Sequence, residues 1–321
     1  MAAETYSSAD FPYDRLALIG AGLIGTSVAH AVRKRAPDTL IAFADNDPAT
    51  VAELASLFPD NLSGSDPAIA VKDADLVLLC VPVGAIGAVS DAIAPHLKAG
   101  ATVSDVGSVK MAVLDQLAGK FGPDVHVVAG HPVAGSERSG PSAGVAELFE
   151  NRYVFLTPTE GFHIPALQAL TRFWRKLGAM VEVMEPTHHD LVLAITSHLP
   201  HLIAYTIVGT AADLEDVTEG EVMKFSAGGF RDFTRIAASD PVMWRDVFLN
   251  NKEAVLEVLG RFSEDLSALQ RAIRWGEADR LEDWFTRTRT IRQGIVELGQ
   301  DTDEEDFGRR SKAPVPKPYG D

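Results

Sequence analysis

Cysteine is almost absent. The one residue of this type, Cys80, stands inside the apolar run DLVLLCVP, which excludes a disulfide framework within the chain and a cysteine-based metal cluster. Positive charge is scarce too: 29 Lys and Arg face 45 Asp and Glu, for a formal net charge of -16. Nucleic acid and anionic membrane surfaces are thereby excluded as partners, since both require a basic footprint. Any anionic substrate must instead meet locally placed arginine or lysine. No apolar run reaches about 18 uninterrupted residues, and MAAETYSSADFPYD lacks a basic stretch followed by an apolar one. A soluble, unexported, cytoplasmic protein is expected. The H-E-x-x-H spacing of zinc hydrolases is missing as well, so no metal is expected.

What is present is ordinary globular material: 321 residues, 46% hydrophobic and 23% charged, enough for about two domains. From residue 15 to about 185, short β-rich runs (RLALIG, LIAFAD, DLVLLCVP, ATVSDV, VHVVAG, RYVFLTP, MVEVM) alternate with helical stretches. Continuous apolar strands separated by helices predict an α/β domain, a doubly wound, mostly parallel sheet of the Rossmann type over residues 1–185. Strand signals then stop near Pro186, and HHDLVLAITSHLPHLIAYTIVGTAADL and the long segments after it predict an all-helical domain over 186–300. The charged, then proline- and lysine-rich stretch 301–321 has no apolar periodicity and is expected to be poorly ordered.

The first β-rich run leads into GAGLIG, residues 20–25. Gly20 suits the tight turn, Gly22 a close backbone approach to a pyrophosphate, and Gly25 close helix packing, with Leu23 and Ile24 opening the helix. Asp45 ends the next strand, where its carboxylate can accept from both adenosine ribose hydroxyls and would repel a 2′-phosphate. NAD is the expected cofactor, in preference to NADP. Val81, Pro82 and Val83, then Gly107 and Ser108 of DVGSVK, follow strands at the carboxyl edge where an open sheet binds its ligand. Ser108 could equally cap the helix behind it.

AGHPVAGSERSG, residues 129–140, leaves a strand directly into His131 and a glycine-rich loop. A neutral imidazole there could accept a proton at neutral pH, or merely fix the loop. GGFRDFTRIAASDPVMW concentrates Arg231, Asp232 and Arg235 among aromatics; arginine suits bidentate carboxylate recognition, and an internal pair with Asp232 is compatible with it. Of nine histidines, four (His188, His189, His198 and His201) cluster around ITSHLPH. Ser197 and His201, four apart, share a helical face and read as the polar rim of an apolar cleft.

Taken in order, GAGLIG, Asp45, DVGSVK, GHPVAGSERSG, HD…SHLPH and GGFRDFTRIA resemble the prephenate/arogenate (cyclohexadienyl) dehydrogenase family, NAD-dependent oxidative decarboxylases of tyrosine biosynthesis. The resemblance spans roughly residues 15–300. It implies a nucleotide-binding domain followed by a helical dimerisation domain, a homodimer formed through the latter, and an active site between the two. His131 is then the acceptor for the ring hydroxyl and Ser108 orients it near the nicotinamide. Ser197 and His201 border cofactor and substrate, with Ser136 and Glu137 at the substrate and His198 structural. Arg235 binds a substrate carboxylate, while Asp190, Asp232 and Trp244 support the site across the interface. Glu137 or His189 could face the substrate's side-chain end, which leaves prephenate against arogenate open. No fused chorismate mutase and no regulatory ββαβ pattern is legible. A 3-hydroxyacid dehydrogenase, disfavoured by SHLPH and FRDFTR, and a nonenzymatic NAD sensor are the other readings.

Overall fold

Strands without a polar face require cover on both sides, and the order of elements follows from that requirement. The computed structural model describes residues 11–135, 138–214 and 227–297. It begins β1 (Arg15–Ile19), α1 (Leu23–Arg35), β2 (Leu40–Ala44), α2 (Pro48–Leu57), β3 (Leu62–Gly64), α3 (Pro67–Ala70), β4 (Leu76–Leu79), α4 (Ile86–Ile93), β5 (Thr102–Asp105), α5 (Met111–Leu117) and β6 (His126–Val127). The strands form a six-stranded sheet in the order β3-β2-β1-β4-β5-β6, every pairing parallel. Because β1 pairs with β2 on one side and β4 on the other, the order reverses there, opening a crevice at the carboxyl ends of both strands. Alternation along β1 divides the core: Leu16 and Leu18 join Phe43, Phe58, Phe173 and Trp174 on one face, and Ala17 and Ile19 join Val77, Leu79, Val83 and Val113 on the other.

Two features depart from the sequence expectation. β3 is three residues long, LSG, too short and too polar to announce itself. VHVVAG, expected as one strand, breaks at Val128: β6 completes the parallel sheet, and β7 (Ala129–Pro132) starts a second one with β8 (Tyr153–Thr157) and β9 (Met180–Val183). In that sheet β7 runs antiparallel to β8, and α6 (Ile164–Lys176) connects β8 to its parallel neighbour β9. The carboxylate of Asp105, at the end of β5, accepts the Gly130 N–H at 3.0 Å, where a ladder would otherwise continue.

Helices follow: α7 (Pro186–Leu193), a π-helical turn Ala194–His198, α8 (Leu199–Asp213), α9 (Gly228–Thr234), a short 3₁₀ turn Arg235–Ala238, α10 (Pro241–Asn250), α11 (Lys252–Trp275) and α12 (Ala278–Glu297). Glu185 starts α7 by accepting the N–H groups of Thr187 and His188 at 3.0 and 2.8 Å, ahead of Pro186. The π turn lies directly before Pro200, whose missing N–H interrupts the α-helical ladder. The run Pro186–Asp213, with mean hydropathy 1.6, is long and apolar enough to cross a membrane. Its Asp190, His189 and His198 are nevertheless buried and hydrogen-bonded inside the protein.

The chain divides into two compact units, Met1–Leu256 and Glu257–Asp321. The first contains both sheets and α7 to α10, and Trp244 and Val247 of α10 belong to the same core cluster as Val83 and Ala129. In the second, the helices reverse at Gly276 (φ +67°), where the Glu277 N–H reaches the Ala272 carbonyl at 2.9 Å. Leu266, Ile273, Trp275, Phe285 and Ile291 are exposed on it. The stretch 301–321, Ser136 and Glu137 lie outside the described residues.

Candidate active site

The glycine loop fits a dinucleotide. Gly20 has φ +87°, and a Cβ there would sit 2.8 Å from the Cys80 backbone. One on Gly25 would meet the Gly20 carbonyl oxygen at 2.6 Å. Over Gly22 there is open space, with nothing within 4 Å of a Cβ. Gly22 begins α1 with no side-chain cap, so the first N–H groups of the helix remain available to an anion. Asp45, half-buried at the end of β2, accepts the N–H groups of Ala21 at 2.9 Å and Asp47 at 3.0 Å. Its carboxylate is therefore tied to the same loop. Leu23, Ile24 and Val81 are half-buried around this crevice, Pro82 is exposed and Val83 buried.

His131 lies in β7, 6% exposed. Its Nδ1 is 2.9 Å from Nε2 of His189 in α7, and Nδ1 of His189 is 2.8 Å from Asp190 Oδ1. The Asp190 carboxylate also accepts the backbone N–H groups of Lys110 at 2.7 Å and Met111 at 2.9 Å, at the start of α5. Ser108 is thus not the cap of this helix; a carboxylate from α7 meets its first N–H groups. Beneath His131, fully buried Lys110 and Asp105 form an ion pair, and the Lys110 ammonium donates to the Gly130 carbonyl at 2.6 Å. Asp105 accepts from Gly107 N at 2.8 Å and from Gly130 N. Both backbone polar groups of Gly130, the residue before His131, are therefore held by one buried ion pair.

Electrostatics keep the imidazoles neutral. Burial, with His189, Lys110 and His198 nearby, holds the His131 pKa well below the ordinary histidine range. Burial also lowers His189 against the pull of Asp190. Lys110 is pushed below the usual lysine range by burial, which Asp105 opposes. At Asp190 burial works against the charge, but hydrogen bonds from His189, Met111 and Lys110 prevail and its pKa falls.

The SHLPH segment joins this network through Asn251. The Asn251 amide donates to the Asp190 carbonyl at 2.8 Å and to His198 Nδ1 at 3.1 Å. Burial lowers His198 to about 4. His201 donates from Nδ1 to the Ser197 carbonyl at 2.8 Å and stacks on Trp244 at 3.7 Å between ring centroids. Its pKa falls through burial and through the charge of exposed Arg235, whose turn packs against α8, the helix that carries His201.

His131 and its partners, His198, His201 and Trp244 thus converge. Half-buried Ser108 makes no direct hydrogen bond to His131. Asp232 is half-buried on α9. Asp190, expected to act across a subunit interface, has its carboxylate committed within its own chain. No group of three potential ligands able to hold a metal is found among the described residues. Sequence reasoning missed Asp105, Lys110 and Asn251. The available signal was a charged pair five residues apart, in a segment framed by Val103 and Val109.

Residues 28–183 match the profile of the prephenate dehydrogenase nucleotide-binding domain, and 185–287 that of the prephenate dehydrogenase dimerization domain. The chain is 41% identical over 288 residues to cyclohexadienyl dehydrogenase of Zymomonas mobilis, covering 88% of this chain and 96% of that one. It is 33% identical over 284 residues to prephenate dehydrogenase of Bacillus subtilis, covering 88% and 76%. Among solved structures, prephenate dehydrogenase of Aquifex aeolicus in complex with hydroxyphenyl propionate and NAD+ superposes with TM-score 0.81 at 33% identity, over 88% of this chain and 98% of that one. Synechocystis arogenate dehydrogenase gives 0.74 at 26% identity, over 88% and 99%.

Proposed function

The chain belongs to the prephenate dehydrogenase family, and we propose that it catalyses NAD-dependent oxidative decarboxylation of prephenate, arogenate or both, in tyrosine biosynthesis. The observation that carries the reading is a buried, neutral His131 backed by His189, in the same compact unit as the glycine cradle. NAD, when bound, accepts the hydride. Gly20, Gly22, Gly25 and Asp45 would hold it, with Leu23, Ile24, Val81, Pro82 and Val83 lining the adenosine and nicotinamide sides.

His131 accepts the ring hydroxyl proton as the carbinol C–H bond breaks, leaving a carbonyl opposite the ring carboxylate. Loss of carbon dioxide then makes the ring aromatic, so neither a Lewis acid nor a Schiff base is required. Ser108 orients the hydroxyl, and Ser197 and His201 border substrate and cofactor. Following NADH absorbance with prephenate and arogenate separately tests the whole reading; absence of turnover with both would defeat it.

Arg235 supplies the local cation an acidic chain needs for a dianionic substrate, and its charge already bears on His201. Arg235→Gln is expected to weaken substrate binding by about 1.5 to 3 kcal/mol, the scale of a charged hydrogen bond. An unchanged KM in a folded variant would remove Arg235 from the site. Asp45, facing the adenosine ribose, predicts a higher kcat/KM with NAD than with NADP, measured at saturating substrate; the reverse order would defeat that role.

Homodimerisation is part of the proposal. It is supported by the dimerization-domain match and by Leu249, Leu256, Ile273 and Trp275, each more than half exposed on the helices. Sedimentation equilibrium should give twice the chain mass. The reaction is assigned to the cytoplasm, consistent with one cysteine and no disulfide.

A further inference from the structure

His189, a candidate from the sequence for the substrate's side-chain end, is instead fully buried with both ring nitrogens engaged, and it is the only described side chain hydrogen-bonded to His131. We infer that His189 and Asp190 form a relay behind His131 that selects its tautomer and stores the substrate proton during each turnover. The inference rests on the reading of His131 as proton acceptor.

Tautomer selection follows from a chain of acceptors. The Asp190 carboxylate accepts three N–H groups, from Lys110, Met111 and His189. Ionised, it can only accept. The His189 nitrogen facing it at 2.8 Å, Nδ1, must therefore carry hydrogen. A neutral His189 then has its lone pair on Nε2, the atom 2.9 Å from His131 Nδ1. Two lone pairs facing each other at that distance would repel, so His131 donates from Nδ1. Its own lone pair is left on Nε2, the nitrogen free for the substrate. An isolated histidine would divide between tautomers; this one is held in the form that can act as base.

The same bonds give the proton somewhere to go. As the carbinol carbon loses hydride, the hydroxyl O–H bond breaks and its proton bonds to His131 Nε2. The Nδ1 proton of His131 passes to His189 Nε2, and the positive charge comes to rest beside Asp190. When the carbon–carboxyl bond breaks, its electron pair enters the ring and places negative charge on the ring oxygen. The proton returns from His131 Nε2 to that oxygen, and the His189 proton moves back to His131. Hydride has left, carbon dioxide has left, and no proton has been exchanged with solvent. The geometry favours charge on His189: its Nδ1 lies 2.8 Å from the Asp190 carboxylate, whereas His131 has no carboxylate hydrogen-bonded to it among the described residues, and burial and Lys110 work against a charge on either ring.

Nitrogen-15 NMR of ring-labelled histidine on the ligand-free protein reads the tautomer without turnover. Wild type is expected to show hydrogen on His131 Nδ1 and none on Nε2; the opposite pattern overturns the relay. Asp190→Asn should invert or mix the tautomers and lower kcat by roughly a hundred- to ten-thousandfold. It should also move the acidic limb of kcat to lower pH, because the carboxylate no longer stabilises the imidazolium pair. A purely structural role would lower kcat without moving that limb, and would overturn the inference. Should Asp190→Asn fail to fold, His189→Gln decides: its amide can accept from His131 and donate to Asp190, keeping the tautomer but taking no proton. The expected result is a wild-type His131 tautomer with kcat reduced about tenfold or more; near-normal kcat overturns proton storage. If instead His131→Asn itself retains turnover, the reading of His131 has failed, and that outcome is separable from failure of the relay alone.

Discussion

His131→Asn is expected to lower turnover by about a hundred- to ten-thousandfold, the range for a positioned acid or base. Without the imidazole the developing carbonyl keeps its proton through the transition state. NAD affinity should change little, because Gly22 and Asp45, the residues proposed for its adenosine half, keep their surroundings in this variant. In wild type, kcat should fall as pH drops, and the limb should lie below the ordinary histidine value near 6.5, since burial and the neighbouring charges lower the His131 pKa. A protonated ring cannot accept. The turnover-against-pH profiles of both proteins measure this; a mutant with near-normal kcat and an unchanged acidic limb would place the base elsewhere, with His201 next to be examined.

Lys110→Met carries the largest expected cost in stability. Lys110 and Asp105 are both fully buried, and removing the ammonium leaves a carboxylate in the core without its counter-charge. Breaking such a pair costs about 3 to 5 kcal/mol. The variant also deprives the Gly130 carbonyl of its donor, next to His131. Urea denaturation should show that loss, and the double variant Lys110→Met, Asp105→Asn should recover part of it, because no unpaired charge then remains buried and the amide carbonyl introduced by Asp105→Asn can still accept from Gly107 or Gly130. If Lys110→Met is as stable as wild type, the pair does not hold the site together.

Acid should weaken the fold through the same histidines that serve the site. His131, His189, His198 and His201 all have lowered pKa values, with burial the leading cause. Below the unfolded-state value near 6.5 the unfolded chain binds protons that the native state refuses, so stability present at neutral pH is lost as pH falls. Kinetic profiles below that value therefore need a folding control, such as circular dichroism at each pH.

The sequence by itself determined the architecture of the nucleotide-binding half, because the signals are local. Apolar runs such as LVLL and the GAGLIG turn encode strand, glycine geometry and helix start within a few residues, and the parallel sheet with its switch point beside β1 follows. The position of His131 at the end of an apolar run was legible for the same reason, although the residue lies within β7 and not after it. What only the tertiary structure decided is the surroundings of that histidine. His189 reaches it across 58 residues, Asp190 meets Lys110 across 80, and Asn251 meets His198 across 53. No periodicity links such positions. The break at Val128 and the π turn before Pro200 also arise from contacts and from the missing proline N–H, not from propensity. Hydrophobic pattern specifies which face of an element is buried; which buried polar groups find each other depends on the packing of whole elements, and the tautomer and charge of His131 are set there.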